Sequence, residues 1–313
     1  MPASPTSNAN QKKYILITWA IIFTPILFLL LFFTLTASQV FGELPDVEEL
    51  QNPKNNLASI VYSSDGGVLG KFYKENRVNC RFTELSPNLV NALVATEDAR
   101  FYDHSGVDLK ALFRSASGVL TGNSSAGGGS TLTQQLAKMQ FSEKPKSKIE
   151  RVVQKIKEWI ISIRLEKLYT KQEIMAMYLN KFDFLNLAVG VKSASQIYFN
   201  TSPDKLNVPQ AAMLVGMAKN PSYFNPIRFA ERTQQRRNVV LSQMKKYGYL
   251  DEARFDSVKV LPLNLVFRPE DHNDGLATYF REYLRDNFLK EWCTTHKKEN
   301  GRAYDIYRDG LKI

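Results

Sequence analysis

The sequence predicts a mainly α-helical protein with one small β-hairpin near its start and a long apolar helix at its N-terminus. Three observations carry that expectation. Apolar residues recur at helical spacing over most of the chain beyond Ser86, strand-like segments are confined to residues 59–73, and no charge interrupts Tyr14 to Gly42.

The N-terminal run reads Ile15-Leu16-Ile17-Thr18-Trp19-Ala20-Ile21-Ile22-Phe23, then Thr24-Pro25, then Ile26 to Phe33 without a polar residue. About 20 helical residues span a bilayer core, so residues 14–37 are expected to form one transmembrane anchor, kinked but tolerated at Pro25. Lys12 and Lys13 precede it, while Glu43, Asp46, Glu48 and Glu49 follow it. That asymmetry places a short tail, residues 1–13, in the cytoplasm and everything from about Gly42 on the outer face. The tail is rich in Ser, Asn, Gln and Pro and is expected to lack order. A cleaved signal peptide is the alternative, but its apolar core runs to about 7–15 residues and this one is longer.

After an irregular connector from Leu44 to Asn55, Ser59–Tyr62 and Val68–Tyr73 flank Asp65-Gly66-Gly67 as a hairpin. Leu89, Val90, Leu93 and Val94 then carry a helix into Thr96-Glu97-Asp98. A second helix is expected from Asp108 to Leu120, with Leu109, Leu112, Phe113 and Ala116 on one face. Residues 121–129 have loop composition. The longest periodic run is Ile149 to Leu168. Thr170 to Glu173 is a capping signal for the next helix, Pro209 sits in the first turn of another, and Ala230 to Tyr247 forms a further one. Periodicity weakens from Asp251 to Pro269 and recovers from Asp274 to Trp292.

At 313 residues and 44% apolar content, the chain can bury one large core or two small ones. A net charge of +10 favours an anionic partner: nucleic acid, lipid head groups or a phosphorylated substrate. Facing outward from a membrane argues against nucleic acid and for membrane-borne phosphate. Cys80 and Cys293 form no framework pattern and read as two unpaired thiols.

Glu97-Asp98, with Phe101, His104 and Gly106 close behind, offers a carboxylate pair among apolar and aromatic neighbours. Most such residues are solvated surface charges, but apolar surroundings can also raise a carboxyl pKa and equip it for proton transfer. His104 reads first as a core or capping histidine. Gly129-Ser130-Thr131-Leu132-Thr133-Gln134-Gln135-Leu136-Ala137-Lys138 reads as a helix start, whose amides and hydroxyls serve equally as an N-cap and as a phosphate cradle. From Lys138 to Lys171 inclusive there are ten Lys or Arg and four Glu, and Glu158 lies among the cations. A carboxylate so placed stays ionised, and two carboxylates in different surroundings suit chemistry at a glycosidic bond.

These segments resemble, in order, the motifs of the peptidoglycan glycosyltransferases of glycosyltransferase family 51. Glu97 to Gly106 is similar to the first, Gly128 to Lys138 to the second, Lys155-Ile156-Lys157-Glu158 to the third, Lys171 to Asn180 to the fourth and Arg236 to Met244 to the fifth. One position departs: the third motif usually opens Arg-Lys, and here the pair is Gln154-Lys155, leaving Arg151 and Lys157 as neighbouring cations. The resemblance implies a lysozyme-like helical glycosyltransferase domain over residues 44–250 and a C-terminal extension over 251–313. Arg308 to Ile313 resembles the linker that leads to a transpeptidase domain in class A penicillin-binding proteins. Ser202-Pro203-Asp204-Lys205 and Ser242-Gln243-Met244-Lys245 fit Ser-x-x-Lys without the partner motifs of penicillin binding.

By the same resemblance the substrates are lipid II and the growing glycan chain, at the outer face of the cytoplasmic membrane, with other cell-wall synthesis proteins as admissible partners. Glu97 would act as general base on the acceptor 4-hydroxyl, and undecaprenyl diphosphate would leave with inversion to a β-1,4 linkage. Glu158 would support the donor side through cations or a divalent ion, Mg or Mn. Asp98, Ser130, Thr131, Gln134, Gln135, Lys138 and Lys157 would bind substrate. A glycan-cleaving hydrolase and a non-enzymatic membrane scaffold are the rival readings.

Overall fold

The structure, a computed structural model, describes residues 6–46, 50, 59–72, 79–122, 128–142, 145–268, 277–298, 301, 303–307 and 309–313. Helix α1 spans Thr6–Ala37. It therefore starts within the tail expected to be irregular, because extending a formed helix adds a hydrogen bond per residue without a new nucleation cost. Ile15, Leu16, Ile17, Trp19, Ile21, Ile22 and Phe23 are all exposed, so this part of α1 turns no face to a core. Among the described side chains its end is the engaged part: Phe32 and Phe33 pack on the main core, and Thr36 is buried. Counted over the described side chains, which leave out those of Pro25, Ile26 and Leu29, no helix is long and apolar enough to cross a membrane. The helical backbone of α1 nonetheless continues through those three positions.

Strands β1, Ser59–Tyr62, and β2, Val68–Phe72, form the expected hairpin with Ser59 opposite Phe72 and a register shift between Val61 and Tyr62. Asp65 closes its turn by accepting from the Gly67 amide at 3.2 Å, and Gly66 takes the left-handed backbone the turn requires (φ +84°). Tyr73 and most of the 44–55 connector lie outside the described residues.

Helix α2, Pro87–Glu97, is capped by Ser86, whose Oγ accepts from the Asn88 amide, and buries Leu89, Ala92, Leu93, Val94 and Ala95. Helix α3 spans Leu109–Leu120. Its expected core face is not the buried one: Leu109 and Phe113 are 62% and 73% exposed, while Ala111 is buried. Asp108 sets that rotation, accepting from the Ala111 amide at 2.9 Å and from Arg100 Nε at 3.0 Å. Helices α4, Leu132–Phe141, α5, Lys148–Leu168, and α6, Lys171–Lys181, follow, capped by Thr131, Ser147 and the Thr170–Glu173 capping box.

Helix α7, Val191–Phe199, had no sequence signal. Val191, Ser193, Ala194, Ser195, Ile197, Tyr198 and Phe199 are buried while Gln196 is exposed; the helix is short and two of its buried positions are serines, so its apolar pattern is weak in sequence. Helix α8, Val208–Ala218, has Pro209 in its first turn and an Asn207–Gln210 capping box. Helix α9 spans Ala230–Lys246. Helix α10, Glu252–Lys259, falls in the stretch where the periodicity weakens; eight residues with none fully buried leave little of it to detect.

Helix α11, Thr278–Leu284, runs through a π-helical turn, Arg285–Leu289, into α12, Lys290–Thr295. This C-terminal region returns to the hairpin. Ile60 donates its amide to Leu311 O at 2.9 Å and Tyr62 to Ile313 O at 2.7 Å. Val61 and Phe72 then share a second small core with Leu289, Cys293 and Ile306.

In the main core, α2, α8 and α9 pack together as one wall, and α4 packs on α5 and α6 as another. Cys80 and Cys293 are both free thiols, as read from the sequence, and both are buried.

Candidate active site

The two walls leave a cleft of ≈ 1210 Å³ between them, lined from one side by Glu97, Ala218 and Lys219 and from the other by Ser130, Gln134, Gln135 and the exposed face of α5. Glu97 is the last residue of α2, so its side chain projects from a helix end into this space. Its carboxylate accepts from Gln135 Nε2 at 2.9 Å on Oε2, while Arg236 of α9 holds Nη2 4.0 Å from Oε1. Gln135 in turn accepts from the Tyr178 hydroxyl at 3.1 Å. Burial first, and then the Glu97 charge, pushes the Tyr178 phenol well above its ordinary range, which keeps it a donor. Burial also lowers the Arg236 pKa, an effect the Glu97 charge opposes.

The opposite wall is cationic for a geometric reason. Lys148, Arg151 and Lys155 fall at i, i+3 and i+7 on α5, so one face of that helix presents all three to the cleft, next to Lys138 from α4. Glu158 belongs to the same face. It is 4% exposed and accepts from Lys155 Nζ at 2.9 Å, while Lys155 also donates to Ser130 Oγ at 2.9 Å. With Lys219, five cations face two carboxylates along the cleft.

Of the residues singled out from sequence, the structure brings Glu97, Ser130, Gln134, Gln135, Lys138 and Glu158 together. Three others lie elsewhere. Asp98 is 7% exposed and accepts from the Leu132 amide at 3.0 Å, with His104 Nε2 at 3.0 Å, so it ties the motif-one loop to the start of α4. Thr131 is the α4 cap, accepting from the Gln134 amide and donating to Gly106 O at 2.7 Å. Lys157 donates to Glu43 O at 3.2 Å on another side of α5; two residues along a helix rotate a side chain by about 200°, away from the Lys155 face. Arg151, not Lys157, is therefore the cation lining the cleft beside Gln154.

Gly106 has a structural reason to be glycine: at φ +91°, a Cβ there would stand 2.8 Å from the Ser162 carbonyl. Arg236 belongs to the Arg236–Met244 segment, but nothing in sequence separates its role from that of Arg237, which is fully buried. Lys219 had no signal, being a single lysine after a helix end.

Among the described residues no three His, Cys, Asp or Glu side chains converge. Glu158, already engaged by Lys155, does not fit a protein-built cage for Mg or Mn, which needs several oxygen ligands.

A family model described as Transglycosylase matches residues 65–245. The chain is 35% identical over 262 residues to penicillin-binding protein 1A of Escherichia coli (strain K12), covering 84% of this chain and 30% of that protein. It is 37% identical over 224 residues to penicillin-binding protein 1A of Vibrio cholerae, covering 72% and 27% respectively. Against penicillin-binding protein 1A/1B of Bacillus subtilis (strain 168) it is 34% identical over 321 residues, covering 99% and 33%. The chain thus spans about a third of the length of these relatives.

Proposed function

The chain belongs to the transglycosylase family and carries the peptidoglycan glycosyltransferase unit of class A penicillin-binding proteins, and from that premise we propose that it polymerises lipid II into β-1,4 glycan strands. The observation that carries this reading is the shared cleft: one carboxylate, Glu97, faces a wall built from Lys138, Lys148, Arg151 and Lys155.

In this mechanism Glu97 accepts the proton of the acceptor's 4-hydroxyl as the oxygen forms its bond to C1 of the donor sugar. The C1–phosphate bond breaks from the opposite face, the configuration inverts, and undecaprenyl diphosphate departs. Negative charge grows on the leaving diphosphate, where fixed cations lower the barrier. Lys155 is held there by Ser130 and Glu158, so the site meets that charge without rearranging. A glycan hydrolase would also use an acidic residue, but it has no need of four cations around a diphosphate.

Helix α1 is assigned as the membrane anchor, with its N-terminus inside and the cleft outside. Its backbone length of 32 residues and the absence of charge from Tyr14 to Gly42 support this. Its C-terminal part packs on α5, which carries the cationic wall, so the cleft sits close to where a lipid carrier would lie. Tethering raises the effective concentration of a substrate that cannot leave the bilayer.

The test is incubation of the detergent-solubilised chain with lipid II, with and without moenomycin, an inhibitor expected for this family. Polymer and free undecaprenyl diphosphate, both lost with the inhibitor, are the expected products. Breakdown of preformed glycan without polymer would overturn the reading in favour of the hydrolase.

A further inference from the structure

We propose that Tyr178 and Gln135 act as an amide latch that fixes which oxygen of Glu97 is free to take the proton. The inference rests on the polymerase reading above and names two positioning residues for it.

A glutamine amide has two ends of similar shape and can present either, so its orientation must be set by its neighbours. Gln135 has two. On one side lies the Glu97 carboxylate, which in its ionised form can only accept, at 2.9 Å from Nε2. On the other lies the Tyr178 hydroxyl, donating to Oε1 at 3.1 Å. Both neighbours demand the same orientation. Flipped, the amide would set its oxygen against the carboxylate and leave a buried phenol without its acceptor, both unfavourable.

Tyr178 is rigid enough to hold the latch. It is 1% exposed, lies in the last turn of α6, and stacks on Phe182 with ring centroids 5.9 Å apart. The consequence falls on Glu97. Oε2 is committed to Gln135, while Arg236 Nη2 stands 4.0 Å from Oε1, beyond hydrogen-bond reach. Oε1 is thus the proton acceptor, and Arg236 stands beside it as a charge. Without the phenol, the amide can rotate, and the carboxylate can turn with it.

The experiment compares wild type, Tyr178→Phe, Gln135→Met and the double variant as detergent-solubilised full chains polymerising lipid II, each checked by thermal melting. Tyr178→Phe is expected to lower kcat about tenfold with KM changed less than about twofold, because orientation and not binding is lost. Gln135→Met removes the intermediary, so adding Tyr178→Phe to it is expected to cost less than about twofold further. Multiplicative losses in the double variant, or a Tyr178→Phe enzyme with wild-type kcat, would overturn the latch while leaving the polymerase reading intact. A wild-type chain that makes no polymer would overturn that reading instead. If Tyr178→Phe loses activity only in proportion to lost folded protein, the residue is structural and the latch fails.

Discussion

Lys155 places Nζ 2.9 Å from both Ser130 Oγ and Glu158 Oε2, joining the start of α4 to the middle of α5 through one ammonium group. Glu158 is nearly buried, whereas Lys155 is partly exposed toward the cleft. The lysine therefore has two tasks, neutralising a buried carboxylate and presenting charge to a substrate phosphate.

That dual role separates stability from activity. Lys155→Ala should leave Glu158 unpaired and lower Tm by several degrees, as well as reducing polymerisation by at least tenfold. Adding Glu158→Gln should restore most of the Tm and none of the activity. Thermal melts beside lipid II turnover decide; a double variant no more stable than Lys155→Ala would sink the pairing argument.

Glu97→Gln keeps the shape of the side chain but cannot take a proton. General-base catalysis is worth about 10²–10⁴ in rate, so turnover should fall by that factor while the melting curve stays within a degree or two. A variant retaining a tenth or more of wild-type kcat would remove Glu97 from the mechanism.

Asp98 and Glu97 are neighbours with opposite predictions. Asp98→Ala strips the acceptor from the Leu132 amide and from His104, both inside the fold, and should cost about 2–3 kcal/mol of stability. Urea unfolding measures it. Asp98→Asn is the milder comparison, and an unchanged midpoint in both variants would mean that the loop is held by other contacts.

Lys157 and Arg151 make a second contrasting pair. Lys157→Ala removes a single bond to Glu43 O on the far side of α5 and should leave KM for lipid II within about twofold. Arg151→Ala removes a cation from the cleft wall and should raise KM or lower kcat by tenfold or more. Steady-state kinetics of the two variants side by side would show the reverse order if the cleft were misassigned.

Burial pushes the Cys80 thiol up to about 11 from 9.0. In the folded chain that thiol lies 3.3 Å from Asn180 Oδ1, an acceptor that a thiolate could not donate to. Between pH 9 and 11 the folded state keeps a proton that the unfolded state releases. Stability from this group is thus complete below pH 9 and lost as pH rises toward 11. Urea midpoints should fall more steeply for wild type than for Cys80→Ala across that window; parallel curves would count against it.

The sequence alone determined where many of the helices beyond Ser86 begin and which segments carry chemistry. Caps such as Ser86, Thr131 and Thr170 act within a few residues, so they are legible locally, and each is found capping its helix. The order of motifs likewise marked Glu97, the Ser130–Lys138 segment and Glu158. What only the tertiary structure decided is which way these residues face. Lys155 and Lys157 are indistinguishable in sequence, yet helix rotation aims one at the cleft and the other at Glu43. Asp98 touches Glu97 in sequence but turns inward, because the motif-one loop needs an acceptor for the α4 amides. Arg236 and Tyr178 reach the Glu97 site from helices far along the chain, and the C-terminal residues pair with a hairpin some 250 positions earlier. Long-range contacts of that kind are set by packing of whole helices against one another, and no local pattern of residues records them.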